Sequence, residues 1–108
     1  MKYEEIVLKV RDGFENADAR EIFEHVAVQV NIEGEGNGAF YIEVAGRKIC
    51  VEPYDYVDRD GLLTATGETL VTIADGTLSI EQALASGALR VEGNMGKLAL
   101  LTKIKLNL

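Results

Sequence analysis

The segment Val26-Ala27-Val28-Gln29-Val30-Asn31-Ile32-Glu33 constrains this chain more than any other. Val26, Val28, Val30 and Ile32 alternate with Ala27, Gln29, Asn31 and Glu33, which is the period of a strand that buries one face and wets the other. Gly34-Glu35-Gly36-Asn37-Gly38 follows; its residues tolerate positive φ, and Asn-Gly is a strong hairpin signal. Phe40, Ile42 and Val44 then face the core again. A second reversal at Ala45-Gly46-Arg47 leads to Ile49 and Val51, so three consecutive strands form an antiparallel meander, which Pro53 ends. The polar, turn-rich stretch from Tyr54 to Gly61 reads as a loop before a short fourth strand through Leu63-Thr64-Ala65.

Helical spacing flanks the meander. Tyr3, Ile6, Val7, Val10 and Phe14 predict an amphipathic helix over the first dozen or so residues, weakened at its end by Gly13. Asp18 followed by Glu21 is a capping pattern, so a second short helix is expected, with Ile22 and Phe23 pointing inward. Leu70, Val71 and Ile73 predict a helix ending at Gly76. Ser79 with Gln82 gives a capping box for another, containing Ile80, Ala83 and Leu84 and stopped by Gly87. Leu89 and Val91 alternate in a fifth strand. Because helices connect it to the fourth, the two are expected to be parallel and joined right-handedly. Met95, Leu98, Leu101, Ile104 and Leu108 suit a last helix across the sheet, placed at about Met95 to Thr102 because Ile104, Leu106 and Leu108 also alternate as in a strand. The expected fold is α+β: a five-stranded mixed, mostly antiparallel sheet with helices covering one face. A length of 108 residues suits one core, so residues 1–108 are read as a single domain.

Charge and cysteine content narrow the partners. Acidic side chains outnumber basic ones 18 to 11, for a net charge of -7, which repels a nucleic-acid backbone. No run of Lys and Arg marks a basic patch, so membrane contact is expected to be at most transient. Cys50 is the single cysteine; it cannot form an internal disulfide, and a cytoplasmic location is expected. The start, Met1-Lys2-Tyr3-Glu4-Glu5, lacks the apolar core of a secretory signal, and no stretch approaches the roughly 20 apolar residues of a membrane span. Leu106-Asn107-Leu108 is not the peroxisomal Ser-Lys-Leu address.

Candidate chemistry is sparse. Gly34-x-Gly36-x-x-Ala39 satisfies a permissive dinucleotide fingerprint, but that motif seats a diphosphate at a helix N-terminus, and a strand follows here. Asp58-x-Asp60-Gly61 resembles part of a calcium loop, yet Tyr56 and Gly67 stand where ligands belong, which leaves Asp55, Asp58 and Asp60 as a solvated acidic turn. His25 and Cys50 are the single histidine and the single thiol; a nucleophile pair would need a third, orienting group. They are read instead as a strand-boundary residue and a small packing residue. One histidine and one cysteine cannot build a zinc site. No acid sits in an apolar context that would raise its pKa for acid catalysis. No catalytic residue, metal or cofactor is expected.

The stretch Ala83-Leu84-Ala85-Ser86-Gly87-Ala88-Leu89-Arg90-Val91-Glu92-Gly93-Asn94-Met95-Gly96-Lys97-Leu98 resembles the C-terminal signature of the sterol carrier protein type 2 family. Gly87, Gly93, Asn94, Met95 and Gly96 match in place, and the strands Ala27–Ile32 and Phe40–Val44 look like that family's opening strands. The resemblance covers nearly the whole chain from Val26. It implies helices laid over one sheet face, enclosing a tunnel that takes a fatty acid, acyl-CoA or a sterol-like molecule without covalent chemistry. Leu84 stands where the family usually has Phe, which bears on the pocket's shape and ligand preference. Inward residues would then converge on one layer: Phe40, Ile42 and Val51 of the meander, Leu70 and Leu84 of the crossover helices, Leu89 of the fifth strand, and Met95, Leu98 and Leu101 of the last helix. The function expected from this is binding and transfer of an apolar lipid-like ligand. The alternative is a ligand-free accessory or protein-interaction module of a larger enzyme assembly. On either reading the partners expected besides a lipid-like small molecule are a second copy of the chain, as a homodimer, or an enzyme partner. An enzyme using Cys50, His25 and the acidic loop is a third reading.

Overall fold

In the computed structural model, which describes residues 1–54 and 58–106, the meander is the frame on which everything else is placed. Helix α1 (Tyr3–Glu15) precedes β1 (Val26–Glu33), β2 (Gly38–Ala45) and β3 (Lys48–Glu52). Strand β4 (Gly61–Thr66) runs directly into α2 (Gly67–Ala74), followed by α3 (Ile80–Ser86), β5 (Arg90–Gly93) and α4 (Met95–Ala99), which continues as a 3-10 turn over Leu100–Lys103. The sheet is five-stranded in the order β3-β2-β1-β4-β5. β1 and β2 pair antiparallel with Val28 opposite Ile42 and Val30 opposite Phe40, so their apolar sides share one face, as the period-two pattern requires.

The glycine-rich hairpin has a packing reason. A side chain at Gly38 would strike the Tyr3 ring, its Cβ lying 2.6 Å from a ring carbon. The Tyr3 hydroxyl donates to the Ala39 carbonyl at 2.6 Å. The small residues let the first turn of α1 lie on the hairpin, which is a structural use and not a phosphate cradle.

At the opposite edge of the meander, α1 closes the outer rim of β3. Arg11 Nε donates to the Val51 carbonyl at 3.0 Å, and the Val51 amide donates to the Glu15 carboxylate at 3.0 Å. An edge strand leaves such groups unpaired unless something covers them.

Three expectations are corrected. The helix expected after Asp18 does not form. The Asp18 carboxylate instead accepts from the Arg20 amide at 2.8 Å and from the Arg20 guanidinium, which holds its pKa below the ordinary value. The Asp18 backbone forms an isolated antiparallel bridge with Lys105. A side chain spent on a local turn is lost as a helix cap. Ile22 is fully buried there, but Phe23 points to solvent.

β4 and β5 pair antiparallel, with Thr64 opposite Arg90 and Gly61 opposite Gly93; the parallel pair is β1 with β4. Arg90 opens β5 beside the end of β4, so α2 and α3 together make a round trip and return the chain to the end it left. A single crossover would have produced the parallel arrangement. The last helix is also shorter than expected. It tightens into the 3-10 turn after Ala99, and Lys105 then joins the bridge to Asp18, so the strand-like alternation of Ile104 and Leu106 was meaningful. Leu108 lies outside the described residues.

The remaining caps form as expected. Ser79 and Gln82 make the reciprocal capping box on α3, and Gly87 ends that helix in the left-handed conformation. No helix among the described residues is long and apolar enough to cross a membrane.

Candidate ligand chamber

Seven elements converge between the inner sheet face and the helices. Ile42 of β2, Leu63 of β4 and Val91 of β5 form the floor of a small chamber. Phe14 closes one side, Leu70 and Ile73 of α2 another. The roof is made by Ile80 and Leu84 of α3, Leu89, and Leu98 and Leu101 of the last helical segment. Every lining side chain is apolar, and no polar or charged residue is buried among the described residues. The free volume is about 30 Å³, far below the roughly 300–1,000 Å³ of ordinary small-molecule pockets. The chamber is therefore nearly closed in this state.

Of the residues picked out from the sequence, Ile42, Leu70, Leu84, Leu89, Leu98 and Leu101 line this space. Phe40 and Val51 are fully buried on the same face but do not line the chamber, although Val51 stands directly opposite Ile42 on the neighbouring strand. Met95 does not belong to the layer: it is 56% exposed at the first position of α4. Sequence reasoning missed Phe14, Leu63, Ile73, Ile80 and Val91 as lining residues; Ile73 and Ile80 stand at helical spacing from Leu70 and Leu84, and Val91 has the parity of Leu89, whereas Phe14 and Leu63 lie on elements from which no site residue was named.

The Gly93-Asn94-Met95-Gly96 turn explains how the roof is set. Gly93 has φ 123, and a Cβ there would come within 2.6 Å of the Asp60 carbonyl oxygen and the Gly61 Cα; only glycine permits that approach. The Asn94 amide donates to the Asp60 carbonyl at 2.9 Å, and the Asn94 side chain accepts from the Lys97 amide at 3.1 Å, capping α4. That cap aims Leu98 at Gly61, where any side chain would collide with it.

The polar candidates are structural. The Asp60 carboxylate receives the Ala27 amide at 2.8 Å, extending the pairing of β1 with β4, so it is engaged within the protein. Asp55 lies outside the described residues. His25 Nε2 meets the Glu43 carboxylate at 2.6 Å, whereas the Cys50 thiol approaches Glu52 at 3.6 Å. Burial, and then the neighbouring Glu52 charge, push the Cys50 thiol above its ordinary pKa, opposite to what a nucleophile needs. Cys50 is accordingly expected to react with iodoacetamide at pH 8 several-fold more slowly in the folded protein than in urea; equal rates would contradict this placement. Glu15, Cys50 and Glu52 bring ligand-type atoms within 4.8 Å of one another, but Glu15 already holds the Val51 amide and Arg11 lies 3.4 Å from Glu52.

A family model described as the SCP-2 sterol transfer family matches residues 6–104. The chain belongs to the SCP-2 sterol transfer family. Solved structures agree on the fold of this SCP-2 domain. Palmitated SCP2L2 from Aedes aegypti aligns with a TM-score of 0.68 at 20% identity, over 95% of this chain and 93% of that one. Sterol carrier protein-2 from the same mosquito, in complex with palmitate, aligns with a TM-score of 0.56 at 24% identity, over 95% and 93%. A stereoselective inverting sec-alkylsulfatase from Pseudomonas sp. carries a similar region: TM-score 0.59, 14% identity, 92% of this chain but 14% of that one. A search of the curated proteins found no match. At these identities the structural likeness is one of fold.

Proposed function

We propose that residues 1–108 form a single SCP-2 domain that binds a lipid with one long apolar chain in this chamber and hands it on without covalent chemistry. The carrying observation is a wholly apolar lining, contributed by sheet and helices alike, under a thin roof. α3 has one fully buried residue, Ala83, and α4 has one, Leu98. Helices this short are not stable alone and are held by packing, so displacing them is a low-cost local opening. Against that cost stands about 0.8 kcal/mol for each methylene buried, roughly 12 kcal/mol gross for a chain of about 15 methylenes, before its ordering entropy is subtracted. The absence of a polar anchor among the lining residues favours broad selectivity, covering fatty acid, acyl-CoA and sterol-like molecules. The palmitate held by relatives of the same fold supports the first of these.

Titration with cis-parinaric acid, followed by displacement with palmitate, tests the reading. One-to-one saturable binding is expected, and palmitate at about 100 times its Kd should stabilise the fold by roughly 2.7 kcal/mol. Leu84→Trp, which puts an indole into the chamber, should weaken the probe more than about tenfold while the fold persists. No fluorescence change and no thermal stabilisation would defeat the proposal and leave a filled interaction module.

A further inference from the structure

The two short helices of the chamber roof are fastened very differently. α4 and the tail behind it are tied to the body by polar contacts. The Asn94 amide donates to the Asp60 carbonyl at 2.9 Å, and Lys97 donates its ammonium to the His25 carbonyl. Lys105 exchanges a pair of backbone hydrogen bonds with Asp18, and its side chain meets Glu21 at 2.7 Å. α3 has no such tie. Among the described residues, every hydrogen bond made over residues 79–88 finds its partner within residues 79–89, and no ion pair reaches that segment. Apolar contact alone holds it down: Ala83 is fully buried, and half-buried Ile80 and Leu84 point into the chamber.

Two glycines in the left-handed conformation bound the segment, Gly76 at φ 85 and Gly87 at φ 80. Glycine crosses between backbone regions that other residues reach only with strain, and even an added Cβ at Gly87 would meet nothing within 4 Å, so this joint is free to turn. There is also room for the movement. Ile80 lines a second space of about 120 Å³, which it shares with Leu78, Ser79, Thr102, Ile104 and Leu106. It is the residue common to that space and the chamber, and so stands between them. A side chain that withdraws into existing free volume displaces no neighbour. Leu98 of α4, by contrast, is packed directly on Gly61.

We propose that α3 is the gate of the chamber: it swings on Gly76 and Gly87, Ile80 retreats towards the second space, and ligand enters between α3 and the tail at residues 102–106 while α4 stays in place. The proposal rests on the lipid-binding reading and adds which part of the roof yields. Hinges of this kind are a few residues at element ends that absorb the change in φ and ψ. Opening α3 uncovers three apolar side chains but breaks no hydrogen bond to the rest of the protein. Lifting α4 would strip the partners from the Asp60 and His25 carbonyls, a cost that apolar ligand cannot repair. An acyl chain lying against Ile80 and Leu84 restores their apolar cover, so the gate settles again over its cargo.

Hydrogen exchange followed by NMR in the ligand-free protein tests this. Ala83 and Leu98 are a matched pair: each is the fully buried residue of its helix, and each amide donates to its N-cap carbonyl, at 3.0 and 2.9 Å. The protection factor of Ala83 should be at least about tenfold the lower of the two, and palmitate should raise it more than that of Leu98. In stopped-flow mixing with cis-parinaric acid, Ile80→Ala should speed association about threefold and Thr102→Phe, which fills the second space, should slow it about tenfold, whereas Lys97→Met, which unties α4 from His25, should leave it within about twofold. Protection of Leu98 equal to or below that of Ala83, a larger palmitate effect on α4, or faster association in Lys97→Met than in Ile80→Ala would overturn the assignment. Should Thr102→Phe not fold, the exchange pair decides alone. A protein that binds neither cis-parinaric acid nor palmitate would defeat the lipid-binding reading instead, and the ligand-free exchange pair would still say whether α3 is the part that opens.

Discussion

Phe40→Ala is expected to lower the thermal midpoint by more than about 10 °C. Phe40 is fully buried, the largest of the side chains sealed from solvent, and stands opposite Val30 in the centre of the sheet. Truncating such a ring costs roughly 3–5 kcal/mol, because transfer energy and a residual cavity add, and each kcal/mol moves the midpoint of a domain near this size by about 4–8 °C. Against a total stability of roughly 5–15 kcal/mol, the loss is a large fraction. The same truncation at exposed Phe23 should fall within about 0.5 kcal/mol. Circular-dichroism melts of the two variants make the comparison, and similar midpoints would show that Phe40 is not the sealed centre described here.

Gly13→Val should be the second severe change. A Cβ at Gly13 would lie 2.2 Å from the Ala74 carbonyl oxygen and 2.8 Å from the Ala74 Cβ. Both obstacles belong to the backbone or its first carbon, so no side-chain rotation relieves them, and α1 must lift away from α2. Replacing a helical glycine by valine ordinarily gains only about a few tenths of a kcal/mol in propensity. Overpacking costs about 1–3 kcal/mol or more, so the clash wins. Phe14, the next residue, lines the chamber, so probe affinity should fall along with stability. Urea unfolding with an unchanged midpoint would show that the two helices tolerate separation.

The meander, its turns and the Ser79 capping box were legible because period-two burial and local hydrogen bonds are written in adjacent residues. The segment after Asp18 was not: its capping pattern is genuine in sequence, but the carboxylate turns to Arg20 and the backbone to Lys105, a partner no local window contains. The direction of β5 depended on how many helical passes precede it, which handedness rules take as given. Among the residues that line the chamber, parity pointed to Ile42 and helical spacing to Leu70, Leu98 and Leu101. Parity alone could not separate Ile42 from Phe40, two residues along the same strand, or from Val51, directly opposite it. Met95 was drawn inward by its apolar character, whereas the Asn94 cap fixes it on the outer side. The remaining free volume depends on packing at the scale of a methyl group, which composition does not encode.

The clamp of Arg11 and Glu15 on Val51 bears on how copies of this molecule can meet. α1 offers one donor and one acceptor where a sixth strand would have offered the same pair, so a neighbour approaching β3 sideways must first evict two charged side chains. The opposite rim is a strand of four residues, too brief to template a long ladder. Self-association by continuing the sheet is thus discouraged at either border, and a homodimer would have to be built from helical or loop surfaces instead.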